Sequence, residues 1–156
     1  MKRLASIAFA ATAFAGAAAA QPLDPSAAAN YGEVALNSGF SPDPRVVSLR
    51  AGGSVDAHAV GEACSGFVTT SPDYKLTYTA GSLPLIISVA AATDTTLVIN
   101  GPDGQWYCDD DGGVNGSNPS VRFNNPGSGR YDIYVGTYRS GASQPARLHI
   151  SEVSSQ

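Results

Sequence analysis

The residues best equipped for chemistry in this 156-residue chain lie in one segment, Cys108-Asp109-Asp110-Asp111-Gly112-Gly113-Val114-Asn115-Gly116-Ser117-Asn118-Pro119. Three consecutive carboxylates repel one another by roughly 1 kcal/mol per close pair even in water-like surroundings. A folded loop that holds them together is therefore relieved by a divalent cation. Calcium suits the donor set best, because it takes six to eight oxygens in flexible geometry and accepts the backbone carbonyls that Gly112, Gly113 and Gly116 leave accessible. The spacing is not that of an EF-hand, since the acids are contiguous and the closing Glu is missing. A solvated acidic turn is the plain alternative. Zinc is disfavoured: the two histidines, His58 and His149, are far apart in sequence, and the two cysteines are expected to pair with each other.

Catalysis is a separate question. A serine hydrolase needs a nucleophile, a base, a group that orients the base, and oxyanion donors. Asp56, His58 and Ser65 supply the residue types. Asp56 and His58 stand two apart on an expected strand and so share a face. No serine has a Gly-Asp-Ser-Gly-Gly or Gly-x-Ser-x-Gly context. His58 is thus expected to be a surface strand residue, and Ser65 a turn residue beside a disulfide. Paired-carboxylate glycosidase chemistry is no better supported, because adjacent aspartates on a turn lack the asymmetry that keeps one acid protonated and its partner ionised. Trp106, Tyr107 and Tyr138 are candidates for a ligand-binding platform near the acidic loop. Core packing is the competing assignment for the aromatics of these strands. Tyr131 and Tyr134 fall on opposite faces of a strand, so at least one belongs to the core.

The elements that must position these groups are short and β-rich. Charged residues make up 14% of the chain against 17 Gly and 10 Pro, which favours a turn-rich β protein and leaves room for one domain. Residues 1–20 have the form of a secretory signal: Lys2 and Arg3, an apolar stretch from Leu4 to Phe14, and Ala18-Ala19-Ala20 as a cleavage site before Gln21. The apolar stretch is shorter than a bilayer span, and no second run is long enough, so the mature chain is expected in the periplasm or outside the cell with no membrane span. Removing Lys2 and Arg3 leaves 9 − 2 = 7 basic residues against 13 acidic ones, a net charge of 7 − 13 = −6. That field argues against a nucleic-acid partner. In an oxidising compartment Cys64 and Cys108 should form a disulfide.

Residues 21–30 read as a loose mature N-terminus, and 31–153 as the folded domain. Short β-branched and aromatic runs recur every eight to twelve residues between Gly, Pro, Asn and Asp, giving eleven candidate strands of which two or three could be loops. Tyr74 to Thr79 alternates as a half-buried strand does. Leu85 to Val89 is nearly continuous, as in a central strand covered on both sides. Gly101-Pro102-Asp103-Gly104 marks a hairpin turn between Thr95 and Cys108. No helical period is evident beyond Ala20. The fold class expected is all-β, an antiparallel β-sandwich with one disulfide.

The ordered runs Asp94-Thr95-Thr96-Leu97-Val98-Ile99-Asn100-Gly101-Pro102-Asp103-Gly104, Asp109-Asp110-Asp111-Gly112-Gly113, Asn118-Pro119 and Gly129-Arg130-Tyr131-Asp132-Ile133-Tyr134-Val135-Gly136 resemble the bacterial pre-peptidase C-terminal domain. They also resemble small exported proteins of this type, some labelled as serine peptidases. The similarity covers Tyr31 to Glu152. It implies a jelly-roll-like β-sandwich that accompanies secreted peptidases without being catalytic. Some relatives, such as the collagen-binding domains of bacterial collagenases, bind calcium and an extracellular polymer. By position, the resemblance adds Asp94 to Asp109, Asp110 and Asp111 as a metal set. No peptidase precedes the domain in this chain, so the appendage role is not expected to carry over whole. The expectation is an exported, non-catalytic binding or structural module, stabilised by calcium, whose partner is an envelope or extracellular polymer or protein. The alternatives are a small secreted serine hydrolase, or an inhibitor or chaperone of a separate secreted peptidase.

Overall fold

The short apolar and β-branched runs of the sequence become strands. In the computed structural model, which describes residues 23–141 and 143–156, eleven strands are found among the described residues. The signal sequence expected at 1–20 and its cleavage point lie outside them. The strands are β1 Glu33–Asn37, β2 Arg45–Ala51, β3 Val55–Asp56, β4 Phe67–Val68, β5 Tyr74–Thr79, β6 Leu85–Ala91, β7 Thr95–Asn100, β8 Trp106–Asp109, β9 Ser120–Phe123, β10 Gly129–Thr137 and β11 Gln144–Ser151. Among the described residues no helix is long and apolar enough to cross a membrane.

Two sheets stack. The smaller runs β2-β11-β6-β9, all antiparallel. The larger is organised by β10, the longest strand, which pairs with β5 and then β4 along one edge and with β7 along the other. β7 pairs with β8 through Leu97↔Asp109 to Asn100↔Trp106, the hairpin expected from Gly101-Pro102-Asp103-Gly104. Strand β1 departs from the antiparallel expectation: it runs parallel to β5, Glu33 opposite Lys75 and Asn37 opposite Thr79. A parallel pair needs a crossover, and the chain makes it by passing through β2 of the other sheet and then β3 and β4 of its own before reaching β5.

The inner faces meet in one apolar layer. Leu76, Tyr78, Leu97, Ile99, Tyr131 and Ile133 of the larger sheet face Leu49, Leu85, Ile87, Val89, Leu148 and Ile150 of the smaller. Each fully buried aliphatic side chain of this kind stabilises the fold by about 2 kcal/mol relative to exposure. A second apolar cluster lies on the other side of β7 and β10, where Val98 and Tyr134 pack with Leu23, Val55, Ala57, Cys64 and Val68. Tyr131 and Tyr134 are therefore both core, in different clusters.

That second cluster corrects two expectations. Residues 23–30 are not set apart from the fold: Leu23 is buried, the Asp24 backbone N–H donates to Thr70 O at 2.8 Å, and Asn30 Nδ2 donates to Asp73 Oδ1 at 3.0 Å. The segment has no period because a single apolar anchor and backbone bonds hold it. The strand expected over 54–59 stops at Asp56, whose carboxylate accepts the His58 N–H at 3.0 Å and caps a 3₁₀ turn, Ala57–Ala59. Gly53 beside it admits no side chain, since an added Cβ would lie 2.0 Å from the Val68 carbonyl carbon.

Candidate functional site

The acidic loop leaves β8 beside the disulfide. Cys64 and Cys108 are joined with their Cα atoms 5.1 Å apart, which fixes the loop's first residue against the 3₁₀ segment. At its far end Asn118 is buried and acts as a clamp. Its Nδ2 donates to Ala91 O at 3.0 Å, its Oδ1 accepts from Thr95 Oγ1 at 2.8 Å, and the Thr95 N–H donates to Ser117 O at 3.1 Å. The partners flank the β6–β7 turn, so the clamp holds the acidic loop against the turn that carries Asp94. On sequence alone Asn118 is merely part of a motif. Its polar side chain directly before a proline, in a segment otherwise short of anchors, is the signal that marks it.

The four acids then divide. The Asp109 carboxylate turns back into its own loop, where Oδ2 accepts from the N–H groups of Gly112 and Ser120, both at 2.8 Å. Gly112 is required there, because a Cβ would lie 2.6 Å from that same oxygen. Asp109 Oδ2 thus braces the loop. Asp110 Oδ2 accepts from the Ser65 hydroxyl at 3.0 Å, which ties the loop to the disulfide segment. The Asp94 carboxyl is raised above the ordinary carboxylate range, first by partial burial and then by the charges of Asp111 and Asp110, with Arg139 acting in the opposite sense. Asp94, Asp110 and Asp111 therefore share one field although they come from two loops. Among the described residues, no group of three or more His, Cys, Asp or Glu stands close enough to hold a metal as placed. The corner has the oxygen chemistry for calcium, and its carboxylates would have to close up around the ion.

Next to this corner the structure brings together residues that the sequence scatters. His58 Nδ1 lies 2.8 Å from Asp56 Oδ1, so with the proton on Nδ1 the carboxylate orients the ring and Nε2 is its free position. The same contacts, backbone first and ring second, hold the exposed Asp56 carboxyl below its usual range. Asp56, His58, Ser65, Gly66, Phe67 and Tyr138 line one open cavity of about 200 Å³. The Ser65 hydroxyl is donated to Asp110. His58 is a surface residue as expected, but on a 3₁₀ turn and not on a strand.

The aromatic candidates separate in the same way. Trp106 is half-buried, its ring 5.9 Å from that of Tyr134 against the second cluster. Tyr107 meets Phe123 edge to face at 4.9 Å, and its hydroxyl donates to Asp103 Oδ2 at 2.6 Å. Tyr138 is 48% exposed and lines the Asp56–His58 cavity. Of the three, Tyr138 is the one that presents an open ring.

The model of the bacterial pre-peptidase C-terminal domain matches residues 70–137. An uncharacterized protein of Synechococcus elongatus is 36% identical over 112 residues, covering 71% of this chain and 77% of that protein. The chain belongs to the bacterial pre-peptidase C-terminal domain family. The family match runs from just before β5 to the end of β10, so it contains Asp94, the acidic loop and the Asn118 clamp. Cys64 and the Asp56–His58–Ser65 group fall outside it. A similarity to a solved structure is also found, to Aeromonas hydrophila PliG, a periplasmic lysozyme inhibitor of g-type lysozyme. It has 16% identity and a TM-score of 0.38 over 77% of this chain and 96% of that one. A superposition that loose carries no inference about role.

Proposed function

We propose that this member of the pre-peptidase C-terminal domain family is an exported, non-catalytic β-sandwich that works as a binding or structural module in the bacterial envelope or outside the cell, stabilised by calcium. The cation is held by Asp94, Asp110 and Asp111, with Asp109 bracing the loop. One observation carries this reading: the Asn118 clamp and the disulfide fix the acidic loop from both ends against the turn that bears Asp94, so that the charges of Asp111 and Asp110 add to burial in raising the Asp94 carboxyl. Fixing like charges in one field costs stability unless a cation answers it. The disulfide supports an oxidising compartment. The partner is an envelope or extracellular polymer or protein, with Tyr138 the aromatic group open to it.

Titration calorimetry of the oxidised protein with calcium, and with magnesium as control, tests the metal directly. Saturable one-to-one calcium binding that is lost in an Asp110→Ala, Asp111→Ala double variant supports the proposal. Absence of heat together with an unaltered melting curve refutes it.

A second reading, a small serine hydrolase, rests on the oriented Asp56–His58 pair and the presence of Ser65 in the same cavity. It requires Ser65 to leave Asp110 and turn to His58. Labelling by a fluorophosphonate probe, lost in Ser65→Ala, would establish it over the binding module. Unlabelled protein at high probe concentration removes it.

A further inference from the structure

The outward face of the smaller sheet has a charge opposite to that of the chain. The protein holds 13 acidic residues, yet β2, β6, β9 and β11 contain none, while the residues that alternate away from the core include Arg50, Arg122 and Arg147. Strand alternation sends Leu49, Val89 and Leu148 into the core and leaves Ser48, Arg50, Ala90 and Arg147 on the opposite face. Arg147 on β11 is flanked by Ser48 on β2 and Ala90 on β6, and Arg50 is flanked by Pro145. Arg50 and Arg147 are therefore diagonal neighbours, about 7–8 Å apart at their backbones.

An open groove of about 470 Å³ crosses the three strands at this level, with Ser48, Ala90, Ala92, Asn115, Pro145 and Arg147 in its lining. Leu49 also lines it, and apart from Leu49, Asn115 and Arg147 the lining side chains are small. Arg50 is held at its margin: Nε donates to Ser143 Oγ at 3.0 Å and Nη2 to Ser143 O at 2.6 Å. The Arg147 side chain makes no hydrogen bond or ion pair among the described residues.

We infer that this groove docks an extended acidic segment of a partner protein, with a carboxylate seated on Arg147 and with Arg50 adding its charge from the margin. A guanidinium matches a carboxylate with two parallel N–H bonds, and among the described residues none of the Arg147 side-chain donors is taken. A lining mostly of Ala, Ser and Pro accommodates a peptide backbone lying across the strands. The lining has no aromatic ring on which a sugar could stack, which favours peptide over polysaccharide. The net charge of −4 repels an acidic partner from the rest of the surface, so the groove also sets the orientation of approach. The inference rests on the binding-module role proposed above and is independent of calcium.

Fluorescence anisotropy of a labelled peptide of alternating Glu and Ala, titrated with the oxidised protein, tests it, with an alternating Gln and Ala peptide as control. Saturable binding is expected for the Glu peptide, weakened at least tenfold by Arg147→Gln and also weakened by Arg50→Gln. Both arginines are exposed, and unchanged circular dichroism and melting of either variant shows that the fold is kept. Absent binding, equal binding of the Gln peptide, or indifference to both arginine variants overturns the inference. Stronger displacement by a uronate polysaccharide than by unlabelled peptide, at equal carboxylate, overturns it in favour of a glycan. Self-association abolished by Arg147→Gln overturns it in favour of a second copy. Calcium binding with no peptide binding would sink this inference and leave the proposed function standing.

Discussion

Asp73 is a carboxylate placed where a charge is costly, and its replacement by Asn should change how stability depends on pH. The residue is buried at the start of β5, where Oδ2 accepts the Val135 N–H at 2.8 Å and Oδ1 accepts from Asn30 Nδ2 at 3.0 Å. Burial outweighs these bonds and pushes its pKa from 3.8 up to about 6. A folded value above the unfolded one means that the native state binds the proton more tightly. Stability from this group therefore rises as pH falls from about 6 to about 4, and above about 6 the full penalty applies. A shift of about 2.2 units at 1.36 kcal/mol each amounts to roughly 3 kcal/mol. Asp73→Asn removes the charge, keeps an oxygen for Val135, and sets an amide against Asn30, which costs about 1 kcal/mol. The variant should thus be more stable than the parent by about 2 kcal/mol at pH 7.5, with the advantage gone by pH 4.5. Urea unfolding midpoints in EDTA between these pH values read the difference. The exposed acids Asp24, Asp56 and Asp103, held below their usual range by hydrogen bonds within their own turns, lose their contribution only as pH falls below this window. They are common to both proteins and cancel. Parallel pH profiles for parent and variant would refute the reasoning.

Opening the disulfide by Cys64→Ser, Cys108→Ser should cost up to about 4 kcal/mol in denaturant unfolding, since the bond closes a separation of 44 residues. A loss below about 1 kcal/mol would show that the crosslink is not restricting the unfolded chain. Gly53→Ala should destabilise by about 3 kcal/mol, because the added methyl meets the Val68 backbone, which cannot yield as a side-chain tip can. An unchanged melting temperature would contradict this. Asp109→Ala removes the acceptor for Gly112 and Ser120, and should cost about 2 kcal/mol with or without calcium present. If the loss appears only in calcium, Asp109 is a ligand and not a brace.

Much of the fold was legible because it rests on local pattern. The alternation in Tyr74 to Thr79, the unbroken apolar run from Leu85 and the turn at Gly101 to Gly104 each became the element their period implies. Leu23 was not legible, because one buried leucine among small residues has no period. Nor was the end of β3, where a local cap by the Asp56 side chain starts a 3₁₀ turn within a β-compatible run. The parallel seat of β1 depends on which sheets the intervening strands β2, β3 and β4 join, which no local pattern encodes. At the site, the carboxylate types were visible on sequence but their division was not. Adjacent aspartates look alike until backbone N–H groups claim Asp109 and a serine 45 residues away claims Asp110. The pairing of His58 with Asp56 is made within the capped 3₁₀ turn, which the expected strand does not contain.

Thermal unfolding of the oxidised protein in EDTA, in millimolar calcium and in millimolar magnesium tests the central claim most directly. A ligand bound only by the native state adds about 2.7 kcal/mol at a hundredfold excess over Kd, a rise of several degrees for a domain of this size. The account predicts that rise with calcium, little with magnesium, and none in the Asp110→Ala, Asp111→Ala variant. Superimposed curves in all three buffers would contradict it and reduce the acidic loop to a solvated turn.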